Sequence, residues 1–202
     1  MAKLTSTMQE TVAALKRGDA ALFPTETVYG LGVAVDAAES PRLLFDLKGR
    51  DQGKPISWLV ADAADLDRYG RLVPDFARVL ARTFWPGPLT LIVKASEAVP
   101  AAFRSAEGTI GLRMPDSRTA LQLIRSVGCP LATTSANMAG LKAPRSFEAV
   151  DDGLAERVGA VLADPDDSEK SGVASTVLDC THDHPVMVRE GAITVADIQS
   201  LS

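Results

Sequence analysis

The chain has 202 residues, the length of one domain that can bury a substantial core. Its 46% hydrophobic and 23% charged residues are the proportions of an ordinary globular protein, and apolar runs such as Leu89–Val93 are too short to cross a membrane. The formal net charge of −5 argues against a broad nucleic-acid clamp, because phosphate binding needs a cationic surface, but it leaves room for a local basic cleft.

Segments with apolar residues at helical spacing alternate with short apolar runs, the pattern of an α/β domain. Helices are predicted at Leu4–Arg17, Ser40–Leu47, Pro74–Phe84, Asp116–Val127, Ser146–Val158 and Thr194–Leu201. Strands are predicted at Ala20–Phe23, Leu31–Val35, Ile56–Val60, Leu89–Lys94, Thr109–Met114, Leu131–Thr134, Val158–Ala163, Ser175–Leu178 and Val186–Arg189. The last two strands are joined by a short link, so we expect them to be antiparallel. The sequence thus predicts a single α/β domain over residues 1–202, with its core at about 10–191 and helices flanking a twisted, mixed parallel/antiparallel sheet.

One segment concerns the cellular compartment of the protein, and another concerns access to a ligand site. Met1–Glu10 lacks the basic and apolar regions of a secretory signal, and two cysteines are too few for a disulfide framework, so we expect a cytoplasmic protein. The acidic segment Ala163–Gly172 is predicted to be an exposed loop, and a flap that closes over a site is the alternative.

Several familiar kinds of site are excluded. Gly49–Pro55 is close to a nucleotide-binding phosphate loop, but its glycines are one residue too close and a proline replaces the metal-binding hydroxyl. The histidines His182 and His184 are predicted to lie in an exposed turn rather than to bind a metal. Cys129 and Cys180 are predicted to be inert thiols.

Three polar clusters lie at the ends of predicted strands or in loops, where α/β proteins bind ligands. Residues 24–32 (PTETVYGLG) set hydroxyl and carboxyl side chains beside glycines, which allow a ligand to approach the backbone. Residues 48–55 (KGRDQGKP) place three cations within seven residues, which favours an anion such as phosphate. Residues 133–140 (TTSANMAG) offer hydroxyl and amide donors. A decorated turn, a solvated loop and an Asx-type turn are the respective alternatives.

Taken together, the three clusters resemble those of the YrdC/Sua5 family, the threonylcarbamoyl-AMP synthases. The resemblance covers about Ala20–Gly191 and also includes WPGPLT at 85–90, LRMP at 112–115 and STV at 175–177. The chain resembles the short form of the family, without a further C-terminal domain. Asp51 departs from the pattern, since many relatives have proline there. The resemblance implies a YrdC-like fold with a concave, positively charged pocket.

The resemblance also implies a reaction and its partners. The family condenses L-threonine, bicarbonate or CO2, and ATP into threonylcarbamoyl-adenylate and pyrophosphate, and Mg²⁺ is expected to accompany the ATP. Threonylcarbamoyl-transfer proteins would then modify adenosine 37 of tRNA (t6A), and a weak direct contact with tRNA is compatible with this role; no membrane partner is expected. The alternatives are an RNA-binding module of the same fold without catalysis, a carbamoyl-adenylate former of the hydrogenase-maturation type, and a paralogue that uses another amino acid.

Finally, the resemblance assigns residues to each substrate. Catalysis is assigned to Lys48 and Arg50. ATP binding is assigned to Lys48, Arg50, Lys54, Thr109, Ser135, Asn137 and Arg189. L-Threonine binding is assigned to Thr27, Tyr29, Arg113, Thr133 and Ser175, with Arg113 on the carboxylate. No metal ligands can be identified from the sequence, and Glu26 is expected to orient a ligand or a metal-bound water.

Overall fold

The computed structural model describes residues 5–49, 56–138, 140–164 and 170–200. Its α-helices are α1 (Met8–Lys16), α2 (Arg42–Lys48), α3 (Asp65–Tyr69), α4 (Asp75–Phe84), α5 (Arg118–Val127), α6 (Asp152–Ala155) and α7 (Val195–Gln199). Its strands are β1 (Ala21–Pro24), β2 (Tyr29–Ala34), β3 (Ser57–Leu59), β4 (Leu89–Lys94), β5 (Thr109–Arg113), β6 (Leu131–Ser135), β7 (Ala160–Val161), β8 (Thr176–Asp179) and β9 (Val186–Arg189). One turn of 3-10 helix covers Ala101–Phe103.

The nine described strands form one mixed sheet in the order β7-β1-β2-β6-β3-β5-β4-β8-β9. The pairs β1–β7, β3–β5 and β4–β8 are parallel. The remaining pairs are antiparallel, including β8–β9, as predicted. Three strands separate β1 from β5, yet Arg113 at the end of β5 hydrogen-bonds to Thr27 in the turn after β1. Neighbouring strands of a sheet are on average rotated by about 20–25°, so the ends of strands across a sheet this wide do not lie in one plane.

Local capping sets the ends of the helices that the site depends on. Thr7 and Glu10 form a reciprocal capping box, so α1 begins later than predicted. Gly128 ends α5 in the left-handed conformation that glycine favours, with φ 92°. α2 ends in the same way at Lys48, because Gly49 adopts φ 57°. The side chain of Lys48 is thereby held at a sharp helix terminus.

The prediction of a long helix over Ser146–Val158 is wrong, because α6 covers only one turn of it. The Asp151 carboxylate accepts a hydrogen bond from Leu154 N at 2.8 Å and starts the helix at that point. Before it, Phe147 and Val150 pack on the core from a turn rather than from a helix. α3 and the 3-10 turn were not predicted, since each is too short to show a periodic pattern.

The core is packed around the central strands. The ring of Trp58 meets Tyr69 and Phe103 edge-on, at centroid distances of 5.2 and 5.6 Å. α1 and α5 pack against each other and against β1. Within the described ranges, the helices are all too short or too polar to cross a lipid bilayer.

Candidate active site

One face of the sheet carries a set of small and polar side chains on five strands and on Ser175, the residue before β8, among apolar ones such as Leu59 and Ile92. Paired residues on neighbouring strands point to the same face, and alternate residues along a strand point to opposite faces. The strand registers and the contacts of Ser175 define this polar face by nine residues: Ser57, Thr90, Thr109, Gly111, Arg113, Thr133, Ser135, Ser175 and Arg189. Six of the residues assigned to ATP or threonine from the sequence therefore share one surface.

The exposure of the central strands follows the same alternation. Ser57, Thr109 and Gly111 are partly exposed, whereas Ile110 and Leu112, which point to the other side, are buried. The polar face is thus partly accessible at Ser57, Thr109 and Gly111, buried at Thr90, Arg113 and Ser175, and supported from behind by apolar packing. Small side chains leave space above such a face, and rigid strands fix the positions of its polar groups.

The glycines of residues 30–32 serve packing. A Cβ at Gly32 would lie 2.9 Å from Phe23 Cε1, 3.0 Å from Thr133 Oγ1 and 3.1 Å from the Ala132 carbonyl oxygen. A Cβ at Gly30 would lie 3.1 Å from Thr133 Cγ2. This corrects the interpretation from sequence, since protein side chains rather than a ligand occupy the space that these glycines leave.

Lys48 joins the second and third polar clusters. Its Nζ donates to the Ser135 carbonyl oxygen and lies 3.5 Å from Ser135 Oγ and 3.4 Å from Asn137 Oδ1. Ser135 Oγ donates to Asn137 Oδ1 at 2.5 Å, and Asn137 Nδ2 donates to Leu141 O at 2.7 Å. The lysine is 3% exposed. A cation, a hydroxyl and an amide are therefore held together at the edge of the polar face, and their assignment to ATP stays a prediction.

Arg157 fixes the end of the helix that carries Lys48. Its Nη1 donates to Leu47 O at 3.1 Å and its Nη2 to Asp46 O at 3.2 Å. The last carbonyls of a helix have no partner within the helix, and a basic side chain there also complements the helix dipole. Sequence reasoning missed this residue because it lies 110 positions from Leu47.

Arg113 is bound from several sides. Its Nε donates to Gly87 O at 3.2 Å, and its Nη2 donates to Glu26 Oε1 at 2.5 Å and to Thr27 Oγ1 at 3.1 Å. Thr27 Oγ1 also lies 3.0 Å from Thr25 Oγ1. The structure therefore brings the predicted threonine-side residues Thr27 and Arg113 together. It adds the carboxylate of Glu26, which the sequence analysis expects to orient a ligand or a metal-bound water.

A second guanidinium lies beside the first. Arg189 donates to Ser175 O from Nε at 3.1 Å and from Nη2 at 2.8 Å, and to Ser175 Oγ at 3.1 Å. Ser175 Oγ is in turn 3.0 Å from Thr90 Oγ1. Burial lowers the pKa of Arg189, and the nearby positive charge of Arg113 lowers it further. Arg113 and Arg189 are near enough for their like charges to interact, and such a pair favours the binding of an anion nearby.

The turn between β1 and β2 is fixed by backbone contacts. Thr25 N donates to Val28 O at 3.2 Å and closes the turn. Ser171 N donates to the Glu26 carbonyl oxygen at 3.1 Å, and the next amide along the chain donates to Thr27 O at 2.9 Å. The segment that follows residue 170 therefore lies directly on the turn that carries Glu26 and Thr27.

Within the acidic segment predicted as an exposed loop, Ser171 and Gly172 are exposed and Ala163 and Asp164 are partly exposed, but Lys170 is buried. Lys170 Nζ pairs with Asp164 Oδ2 at 2.7 Å and lies 5.3 Å from the centre of the Tyr29 ring. Asp164 N donates to the Tyr29 hydroxyl at 3.1 Å. The lysine is 2% exposed and Tyr29 is fully buried. Pairing allows both charges to be buried, and it places Tyr29 behind the turn rather than on the polar face. Residues 165–169 lie outside the described residues.

Two of the remaining predicted residues sit at strand positions. Thr109 Oγ1 is 2.8 Å from Ser105 Oγ at the start of β5. Thr133 Oγ1 donates to Leu131 O at 2.9 Å within β6. Arg50 and Lys54, both assigned to ATP, lie outside the described residues, so their roles stay predictions.

No group of three or more His, Cys, Asp and Glu side chains is placed to hold a metal within residues 5–49, 56–138, 140–164 and 170–200. These residues do not fit a protein-held magnesium site. His182 and His184 are exposed, as predicted. Cys129 and Cys180 are buried and unbridged, and burial raises the pKa of the Cys180 thiol to about 12. Both observations agree with inert thiols.

Comparison with known proteins places this site in a family. The Sua5/YciO/YrdC family model, described as "Telomere recombination", matches residues 13–191. The chain is 35% identical to the threonylcarbamoyl-AMP synthase of Bacillus subtilis (strain 168) over 193 residues, which are 95% of this chain and 55% of that protein. It is 35% identical to the threonylcarbamoyl-AMP synthase of Pyrococcus abyssi (strain GE5 / Orsay) over 188 residues, with coverages of 93% and 54%.

The fold gives the same result. The crystal structure of P. abyssi Sua5 complexed with L-threonine matches this structure with a TM-score of 0.89 at 33% identity, over 96% of this chain and 56% of that chain. The chain thus spans about half the length of these relatives. Because both the family model and these relatives cover most of its residues, the chain belongs to the Sua5/YciO/YrdC family.

Proposed function

We propose that this chain is an L-threonylcarbamoyladenylate synthase, a nucleotidyltransferase that uses L-threonine, bicarbonate or CO2, and ATP. The names of its relatives and the threonine complex of P. abyssi Sua5 support the reaction and the amino acid. The observation that carries the proposal is the polar face itself. Arg113 and Arg189 lie together on it, and Lys48 meets Ser135 and Asn137 at its edge.

This reaction needs an amino acid and a nucleotide side by side. The threonine amine combines with bicarbonate to give a carbamate and water. A carbamate oxygen then bonds to the α-phosphorus of ATP, and the bond from that phosphorus to pyrophosphate breaks. Negative charge gathers on the α-phosphate and on the leaving pyrophosphate, so cations held there in advance lower the barrier.

The cations of the site divide between the two substrates. Lys48, Ser135, Asn137 and Arg189 are proposed to bind the nucleotide, together with Arg50, Lys54 and Thr109. Arg113 is proposed to bind the threonine carboxylate, with Thr27, Thr133 and Ser175 around the amino acid. The carbamate is already an anion, so positioning and electrostatics can account for most of the rate without a general base. Since Tyr29 lies behind the turn, its proposed contribution is to hold that turn in place.

The product is a mixed anhydride, which a second reaction must consume. We propose that threonylcarbamoyl-transfer proteins pass the group to tRNA. A carbamate also loses CO2 readily, so the loaded site must exclude water. The segment from residue 170 that lies on the Glu26 turn forms one wall for this purpose.

Pyrophosphate release tests the proposal. The purified protein is given ATP, bicarbonate and magnesium, with and without L-threonine, and with serine or valine in its place. We expect release that depends on threonine and on bicarbonate. Salt-dependent binding of tRNA with no pyrophosphate release would instead favour the non-catalytic RNA-binding module.

A further inference from the structure

The carboxylate of Glu26 has one oxygen that the protein does not use. Oε1 accepts the hydrogen bond from Arg113 Nη2, whereas Oε2 is buried and has no hydrogen-bond partner in the described part of the chain. Buried acceptors in folded proteins are almost always satisfied, because an unmade hydrogen bond costs stability. An acceptor left open beside a predicted substrate-binding arginine points to a donor on the ligand.

Arg113 has the complementary feature. Its Nε and Nη2 are engaged by Gly87, Glu26 and Thr27, but Nη1 makes no hydrogen bond to any described residue. The positive charge of Arg189 lies close by. Glu26 pairs with Arg113, and the charge of Arg189 acts on Arg113, so two guanidiniums outnumber one carboxylate and the local charge is positive. This arrangement favours an anion on the open side of Arg113.

A ligand at this position would therefore have to offer an anion to Arg113 and a hydrogen-bond donor to Glu26 Oε2. An α-amino acid carries both on a single carbon, because its carboxylate can accept from Arg113 Nη1 while its ammonium donates to Glu26 Oε2. A plain carboxylic acid satisfies the arginine alone and leaves the buried oxygen without a donor. A site that is built for a donor rejects a ligand that lacks it.

We propose that Glu26 binds the amino group of the substrate and sets the preference of the site for α-amino acids over acids that lack the amine. The proposal rests on the proposed function, which supplies threonine as the amino acid. The Glu26 side chain is 20% exposed, so its charge is only partly screened by water. Its backbone is held by Ser171 N, so the carboxylate is fixed before a ligand arrives.

Calorimetric binding of two ligands tests this role. The ligands are L-threonine and (R)-3-hydroxybutanoate, which is threonine without its amino group. The variants are Glu26→Gln, which keeps the shape and the contact with Arg113 but loses the charge, and Glu26→Asp, which keeps the charge. Glu97→Gln is the matched control, since Glu97 is an exposed glutamate away from the polar face.

We expect the wild type and Glu97→Gln to bind threonine at least about tenfold more tightly than the hydroxy acid, since hydrogen bonds between charged groups are the stronger class. Glu26→Gln should lose about tenfold in threonine affinity with little change for the hydroxy acid, and Glu26→Asp should retain part of the preference. Equal losses for both ligands in Glu26→Gln would show that Glu26 only orients Arg113 and would overturn the proposal. If Glu26→Gln does not fold, absence of a preference in the wild type or in Glu26→Asp would overturn it. A wild type that binds no threonine at all would remove the proposed function, and this inference with it.

Discussion

Replacement of Gly32 by alanine tests the packing around Thr133 on the polar face. The new Cβ would lie 2.9 Å from a carbon of the Phe23 ring and 3.1 Å from the Ala132 carbonyl oxygen. The ring is fully buried and the carbonyl belongs to the backbone of β6, so neither can move away freely. Overpacking of this kind costs about 1–3 kcal/mol. In a chain of this length that lowers the midpoint of thermal unfolding by about 2–12 °C.

The assay is urea and thermal unfolding followed by circular dichroism. The matched control is Gly153→Ala in α6, where only a carboxylate oxygen of Asp151 lies within 4 Å of the new Cβ, at 3.3 Å. Alanine has the higher helix propensity, so the control should stay within about 1 kcal/mol of the wild type. A Gly32→Ala protein as stable as the wild type would refute the argument that Phe23 and Thr133 require a glycine there.

Three further predictions concern Lys48, Lys170 and Cys180. Lys48→Met should lower the rate of pyrophosphate release by about 10²–10³-fold, the effect of one well-placed charge-stabilising group, and near-normal turnover would contradict this. Lys170→Met should destabilise the fold by about 3–5 kcal/mol in urea unfolding, because Asp164 loses its buried partner, while the exposed Lys142→Met should not; equal effects would count against it. Burial raises the pKa of the Cys180 thiol from 9.0 to about 12, so the native protein should resist iodoacetamide at pH 9. The unfolded thiol ionises first, so the free energy of unfolding should fall from pH 9 towards pH 12, and an alkylation rate equal to that of the unfolded chain would disprove the burial.

Local signals were sufficient for most elements of the sheet. Leu89–Lys94 and Val186–Arg189 are strands with the predicted bounds, because each is a short, largely apolar run bordered by turn residues or prolines. Short helices were not predicted, or were given wrong bounds, because they lack such local signals. The five residues of α3 are too few to show a period, and the helix over Ser146–Val158 was overextended because spacing alone does not show that Asp151 starts a new turn.

For the candidate site, the sequence predicts which residues take part but not which of them contact each other. The residue types and the family resemblance identified Lys48, Ser135, Arg113 and Ser175, but not which of them would touch. Arg113 and Glu26 are 87 positions apart, and three strands lie between β1 and β5 in the sheet. The buried Lys170–Asp164 ion pair could not be predicted from the sequence. The acidic composition of the segment predicts exposure, and it does not show which charges pair with each other.

The hydrogen bonds that restrain the Arg113 side chain affect the affinity of the site for small molecules. Gly87, Glu26 and Thr27 restrain its long side chain while the chain folds. A surface arginine would instead lose that rotational freedom when the ligand arrives, at a cost of about 0.5–1.5 kcal/mol. A metabolite with few atoms has little interaction energy to offset such a loss. In the proposed role of Arg113, a guanidinium that is ordered beforehand would let even a compact ligand keep nearly all the binding energy of its carboxylate.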